Sequence, residues 1–187
     1  MPSIHRYTLV RSIPKTVSRD RLLALLHEPT TIFDLSPIIV GWKELEKDID
    51  ARQGCSSRIY EVTDAVSFLP FGLYDTTVKV KIEFANFKDG VVITKHAIFG
   101  LVFRETWTIQ SSTGSKSPAG EVEDTHGKNV ELSLSVEMSG NSLTVPAFKS
   151  MMEKNHLMYL EKVVERGIKV SKQDGLSHKS REEGTGA

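Results

Sequence analysis

Polar and apolar residues alternate along most of this chain, and near its end the pattern switches to helical spacing. The stretch Val145–Arg166, VPAFKSMMEKNHLMYLEKVVER, is the longest helical pattern. Met152, His156, Tyr159, Leu160 and Val163 recur on one broad stripe, with Glu153, Lys154, Glu161, Lys162 and Glu165 opposite. Asn141 or Ser142 can cap its approach, and Gly167 can end it. The stretches before it read as strands. Ile4–Ile13 alternates and stops at Pro14, Ile38–Leu45 follows, and Arg58–Phe68 carries Tyr60, Val62, Val66 and Phe68 on one face, interrupted by Asp64. In Thr76–Phe84, Val78, Val80, Ile82 and Phe84 oppose Lys79, Lys81 and Glu83. Asp89-Gly90 signals a hairpin into Val91–Ile98, then Leu101–Gln110, and Val130–Met138 alternates once more. Between the first two strands, Ser18 is placed to cap a helix over Arg19–His27, Pro29 stops it, and Thr30–Leu35 forms a short second turn.

An amphipathic helix needs a surface, and the strands before it supply one. The order predicts an α+β fold in which a curved antiparallel sheet grips the terminal helix and leaves a cavity between them. Residues 1–170 form a single ligand-binding domain. Ser111–Asn129 is a polar, mobile loop, and residues 171–187 are a disordered tail. Leu69-Pro70-Phe71-Gly72 reads as a turn or bulge.

Composition narrows the classes. A length of 187 residues suits one domain with a real core. Lys+Arg and Asp+Glu balance at 24 each, which argues against a nucleic-acid binder. Cys55 is the only cysteine, so an intrachain disulfide or a cysteine metal cluster is excluded. The histidines are scattered without ligand-like spacing, and the expectation is neither metal nor cofactor. The G-x-S-x-G elbow, the H-E-x-x-H motif and a Gly-rich dinucleotide loop are absent, and Gly114-Ser115-Lys116-Ser117 lacks phosphate-loop order. The N-terminal stretch lacks the apolar core of a signal peptide and no segment could span a bilayer, which predicts a cytoplasmic protein, monomeric or homodimeric.

The order of elements resembles the START-like, or polyketide-cyclase-like, helix-grip superfamily (SRPBCC), the fold of the birch-pollen-allergen proteins. Tyr60-Glu61-Val62-Thr63-Asp64, Leu69-Pro70-Phe71-Gly72, and Trp107 within Arg104–Ile109 look like segments of uncharacterised fungal members. The resemblance spans roughly residues 4 to 166. It implies a cavity under the long helix that takes a lipid, sterol, phytohormone or polyketide. Some members of the superfamily cyclise or isomerise that ligand, and many only carry it.

The candidate chemistry centres on His96 and Glu105. Glu105 shares the apolar face of Leu101, Phe103, Trp107 and Ile109, and His96 shares a face with Val92, Thr94 and Ile98. A two-residue turn centred on Gly100 and Leu101 would set residue 96 opposite residue 105, with both side chains in the concavity. A longer turn with an even residue count keeps that facing, and an odd count breaks it. A carboxylate on an apolar face is costly unless paired, so either a neighbouring imidazole would offset its burial or burial would raise its pKa and leave it neutral. The pair would then suit proton transfer at a carbonyl. In the alternative, both lie wet at an exposed hairpin end. His156 either meets the ligand or is a satisfied core residue, and Tyr159 either presents its hydroxyl or simply packs. Asp64, beside Tyr60, is a cavity carboxylate unless a bulge before Pro70 turns it out. Phe103, Trp107 and Met152 complete the expected lining; Trp42 reads as core or cavity wall.

Three functions compete. The first is a cofactor-free cyclase, isomerase or dehydratase acting on a hydrophobic secondary metabolite. The second is a carrier of a lipid or similar apolar ligand. The third is an interaction module whose cavity has collapsed. Polar residues on the interior face favour the first over the third.

Overall fold

A computed structural model describes residues 2–50, 55–67, 75–112 and 129–182. Within them one antiparallel sheet is built from β1 (Pro2–Ile13), β2 (Ile39–Asp50), β3 (Cys55–Ser67), β4 (Asp75–Phe87), β5 (Gly90–His96), β6 (Val102–Ser112) and β7 (Asn129–Asn141). Their order across the sheet is β1-β7-β6-β5-β4-β3-β2, so every neighbour except the β1–β7 pair is also a neighbour in sequence. Helices α1 (Arg19–Leu26) and α2 (Pro29–Leu35) connect β1 to β2, and α3 (Thr144–Glu182) closes the described chain. The result is the helix-grip fold, a curved sheet around a long terminal helix.

Local chemistry accounts for the element ends. Ser18 accepts a hydrogen bond from the Arg21 N–H and caps α1. Pro29 halts α1 and starts α2 at its first turn, where its missing N–H costs nothing. The Asn141 carboxamide oxygen accepts from the Leu143 and Thr144 N–H groups and turns the chain from β7 into α3. His27 bridges the Phe87 and Gly90 carbonyls, and Arg19 pairs with Asp89, so α1 is pinned to the β4–β5 hairpin.

Inward positions alternate as the hydrophobic pattern requires. Val80, Ile82 and Phe84 of β4, Trp107 and Ile109 of β6, and Leu132, Leu134 and Val136 of β7 are buried. On α3, His156, Tyr159, Leu160 and Val163 are buried against them, while Met152 is only half-buried. Trp42 departs from the expected wall position. It lies on the edge strand β2, is 43% exposed, and leans on Phe33 and Tyr60.

Two sequence expectations change. Gly167 does not end α3, which runs on through Glu182 into the stretch read as a tail. Gly167 is buried instead where α3 crosses α1, and a Cβ there would meet Leu22 and Val17 at 3.4 Å. That is ordinary contact, so Gly167→Ala should stabilise the protein by about 0.5–1 kcal/mol through backbone entropy. Thermal melting should show a rise of a few degrees; a fall would mean the crossing is tighter than it looks. The Leu69–Gly72 turn and residues 113–128 of the polar loop lie outside the described residues, as do residues 183–187. Among the described residues no helix is long and apolar enough to cross a membrane.

Candidate functional site

Strand register decides which side chains meet. Residues 97–101 connect β5 to β6, and β5 pairs through His96↔Val102, Thr94↔Arg104 and Ile93↔Glu105. This connection holds five residues, an odd count, with Phe99 and Gly100 both in the left-handed region at φ 59° and 70°. The 96-to-105 pairing is therefore shifted by three positions, and an odd shift moves a strand's side chains to the other face of the sheet. His96 accordingly points outward. It is exposed and lies 3.8 Å from Glu83 on the convex side. Its assignment beside Glu105 in the cavity is corrected on that ground.

Lys95 takes the inward place. Its Nζ lies 2.6 Å from Glu105 Oε1. Glu105 is fully buried, and its Oε1 also lies 3.1 Å from His156 Nε2, while its Oε2 accepts a longer bond of 3.4 Å from the Trp107 indole N–H. The far ring nitrogen of His156, Nδ1, is hydrogen-bonded to the Tyr7 hydroxyl. Tyr7, Val136, Glu105 and Ile93 form one cross-strand row over β1, β7, β6 and β5, and α3 lays His156 against it. At the outer rim His5 bonds Glu153 at 2.8 Å.

The electrostatics follow from this geometry. Burial alone would push the Glu105 carboxyl up, but the Lys95 ammonium and the His156 imidazole outweigh it and hold the group well below the usual carboxylate range. Ionised Glu105 only accepts, so His156 donates to it from Nε2, and Nδ1 shares the second hydrogen bond with the Tyr7 hydroxyl. Burial, with the charges of Glu105 and Glu153, pushes the Tyr7 phenol up and keeps it protonated. Tyr159 is raised too, first by burial and then by Glu105; its hydroxyl donates to the Ile32 carbonyl at 2.6 Å.

A cavity of about 300 Å³ opens beside Lys95. Its wall is mainly apolar: Val78, Val80 and Phe103 from the sheet, and Phe148, Met151 and Met152 from α3. It lies where the main core meets a smaller cluster of Leu101, Phe103, Met138 and Val145. Lys95, Asp64 and Asn155 supply its side-chain polarity. Asp64 is 9% exposed and pairs in register with Val78, so no bulge within β3 turns it outward. Burial pushes its carboxyl up to about 6, a rise that Lys95 opposes and Glu105 assists. Its Oδ1 finds no hydrogen-bond partner among the described residues.

Of the residues singled out from sequence, Asp64, Phe103 and Met152 therefore line the cavity. Glu105 and His156 sit behind Lys95 and orient it. Tyr60, Trp107 and Tyr159 are buried in the main core, Trp107 edge-on to Tyr159 and Tyr60 edge-on to Phe33. Sequence reasoning missed Lys95 and Tyr7. Lys95 shares a face with Val91 and Ile93, a more apolar set than Val92, Thr94 and His96, and that contrast was its signal. Tyr7 shares the alternate positions of β1 with Leu9, but nothing local distinguishes it.

The fold is matched among solved structures. The chain is similar to the di-domain ARO/CYC StfQ from the steffimycin biosynthetic pathway, with a TM-score of 0.62 and 8% identity over 90% of this chain and 52% of that one. It thus spans about half the length of that protein. It is similar to Ara h 8.0201, with a TM-score of 0.55 and 12% identity over 89% of this chain and 99% of that one. A norcoclaurine synthase point mutant from Thalictrum flavum, in complex with a transition-state analogue, gives a TM-score of 0.54 and 13% identity over 90% and 96% of the two chains. At such identities the likeness is one of fold. No curated protein matches the sequence. A family model does match, over residues 2–169, nearly the whole described chain. The chain therefore belongs to the family described as a domain of unknown function, DUF7053.

Proposed function

We propose that the protein binds a small hydrophobic molecule in the cavity under α3 and acts on it by cofactor-free proton transfer, as a cyclase, isomerase or dehydratase. Polyketide- or terpenoid-type metabolites are the substrate class that suits it. One observation carries the reading: Lys95 and Asp64 meet at a mainly apolar cavity, and buried Glu105 and His156, backed by the half-buried Tyr7, anchor the lysine from behind. A lysine ammonium carries three donor protons, so the Glu105 contact leaves others for a ligand oxygen. A fixed cation stabilises charge developing on a carbonyl oxygen. A carboxyl titrating at about 6 can give or take a proton near neutrality. In this reading Lys95 and Asp64 are the reacting pair, Glu105 and His156 are positioning residues, and Phe103 and Met152 shape the pocket. The ARO/CYC and norcoclaurine synthase likenesses agree with such chemistry on this fold.

The neutral fluorophore N-phenyl-1-naphthylamine tests the cavity. It should bind the wild type and lose about tenfold or more in affinity to Val80→Trp, or to Met151→Trp at the 41%-exposed rim position, where folding is less at risk. Equal binding by both filled variants would remove the cavity from the proposal. Exchange of the α-hydrogens of 1-tetralone in D2O, followed by proton NMR, tests the chemistry. Wild-type protein should accelerate it and Asp64→Ala should not. Binding with no acceleration would favour the second reading, a hydrophobic-ligand carrier, which the mainly apolar wall also suits.

A further inference from the structure

The geometry points to a neutral ligand that carries both a hydroxyl group and a carbonyl oxygen, and to rejection of anionic lipids such as fatty acids. This rests on the cavity under α3 being the ligand site. Asp64 is nine-tenths buried, faces the cavity, and has an oxygen, Oδ1, without a partner among the described residues. A buried acceptor left open is costly, and a ligand that brings a donor relieves the cost. Lys95 offers the complementary group. Its first bond goes to Glu105 at 2.6 Å, and its remaining protons are open to an acceptor in the cavity.

Charge then sets the class. The Lys95 cation is already balanced by ionised Glu105. No other Lys, Arg or His side chain lines this cavity among the described residues. A carboxylate or phosphate entering would find a neutral ion pair and a second carboxyl, Asp64, with no free cation to repay its desolvation. A hydroxyl on the ligand can donate to Asp64 while a carbonyl accepts from Lys95. Hydroxy-ketones, and phenols that bear a carbonyl, meet both requirements. The ligand's identity is thereby narrowed by the polar lining, while the apolar wall sets only its bulk.

A matched series on one ring skeleton reads this directly: 3- and 4-hydroxy-1-tetralone, 1-tetralone, and the anion 1-naphthoate. Each is titrated against the full chain by displacement of N-phenyl-1-naphthylamine. At least one hydroxy-ketone should bind about tenfold or more tightly than 1-tetralone, as a hydrogen bond to a charged group provides. 1-Naphthoate should bind more weakly than 1-tetralone. In Asp64→Ala the advantage of the hydroxy-ketones over 1-tetralone should vanish, and 1-naphthoate should gain relative to 1-tetralone. Tighter binding of 1-naphthoate, an undiminished hydroxyl preference in Asp64→Ala, or displacement by none of the four would overturn the inference and leave the cavity reading standing. Failure of the fluorophore itself to depend on the cavity would strike the cavity reading instead.

Discussion

Replacing Lys95 with methionine is expected to destabilise the protein by about 3–5 kcal/mol, because it strands a fully buried Glu105 without its ammonium partner. Methionine preserves most of the side-chain volume, so the loss is electrostatic rather than a cavity effect. Lys95→Met combined with Glu105→Gln should recover most of it. The glutamine is uncharged and its one carboxamide oxygen can still accept from His156, while its NH2 replaces the oxygen that took the longer Trp107 bond. Urea denaturation of the wild type, both single variants and the double variant gives the coupling directly. The pair is shielded from solvent, so the coupling should change little between low and high salt. If the double variant were as unstable as Lys95→Met alone, the ion pair would not be what holds this part of the sheet together.

Asp64→Asn should have the second large effect, and it should depend on pH. The native carboxyl titrates at about 6, whereas in the unfolded chain an aspartate returns to about 3.9. The native state therefore holds a proton that the unfolded state has released over the interval between. Asp64 contributes fully to stability below about pH 4, and that contribution is lost as pH rises through about 6. Above pH 7 the buried carboxylate then costs on the order of 2–3 kcal/mol, and Lys95 and Glu105 are the charges that act on it. Asparagine removes that cost. The variant should be more stable than wild type at pH 8 and lose its advantage by pH 4, as read from denaturant midpoints across the range. A gain that is flat with pH would show that Asp64 is not the titrating group. Such a cost is one that natural proteins commonly accept at sites that work on a ligand.

The fold was legible because burial repeats with the period of the backbone. Val80, Ile82 and Phe84 on one strand, and Leu132, Leu134 and Val136 on another, announce an inward face without reference to any neighbour. The stripe of His156, Tyr159, Leu160 and Val163 does the same for α3. Glu105 stood out because it interrupts such a face. Its partner was not legible. Between β5 and β6 the face turns on whether the connection holds an even or an odd number of residues, and a left-handed Phe99 beside Gly100 gave it five. That single count exchanged His96 for Lys95. The end of α3 was misread for a related reason: Gly167 carries the local mark of a helix stop, but its packing against Leu22 and Val17 is a tertiary fact.

What the sequence determined alone is therefore the set of strands, the apolar stripe of the terminal helix, and a carboxylate on the apolar face of β6, since each follows from side-chain period and local turn chemistry; the burial of that carboxylate came from the structure. Only the tertiary structure decided that Tyr7, Lys95, Glu105 and His156 converge, and that Asp64 shares a cavity with the lysine. Tyr7 and His156 are separated by 149 positions in the chain. No local pattern encodes a meeting across that span; strand register and the seating of one helix on the sheet do.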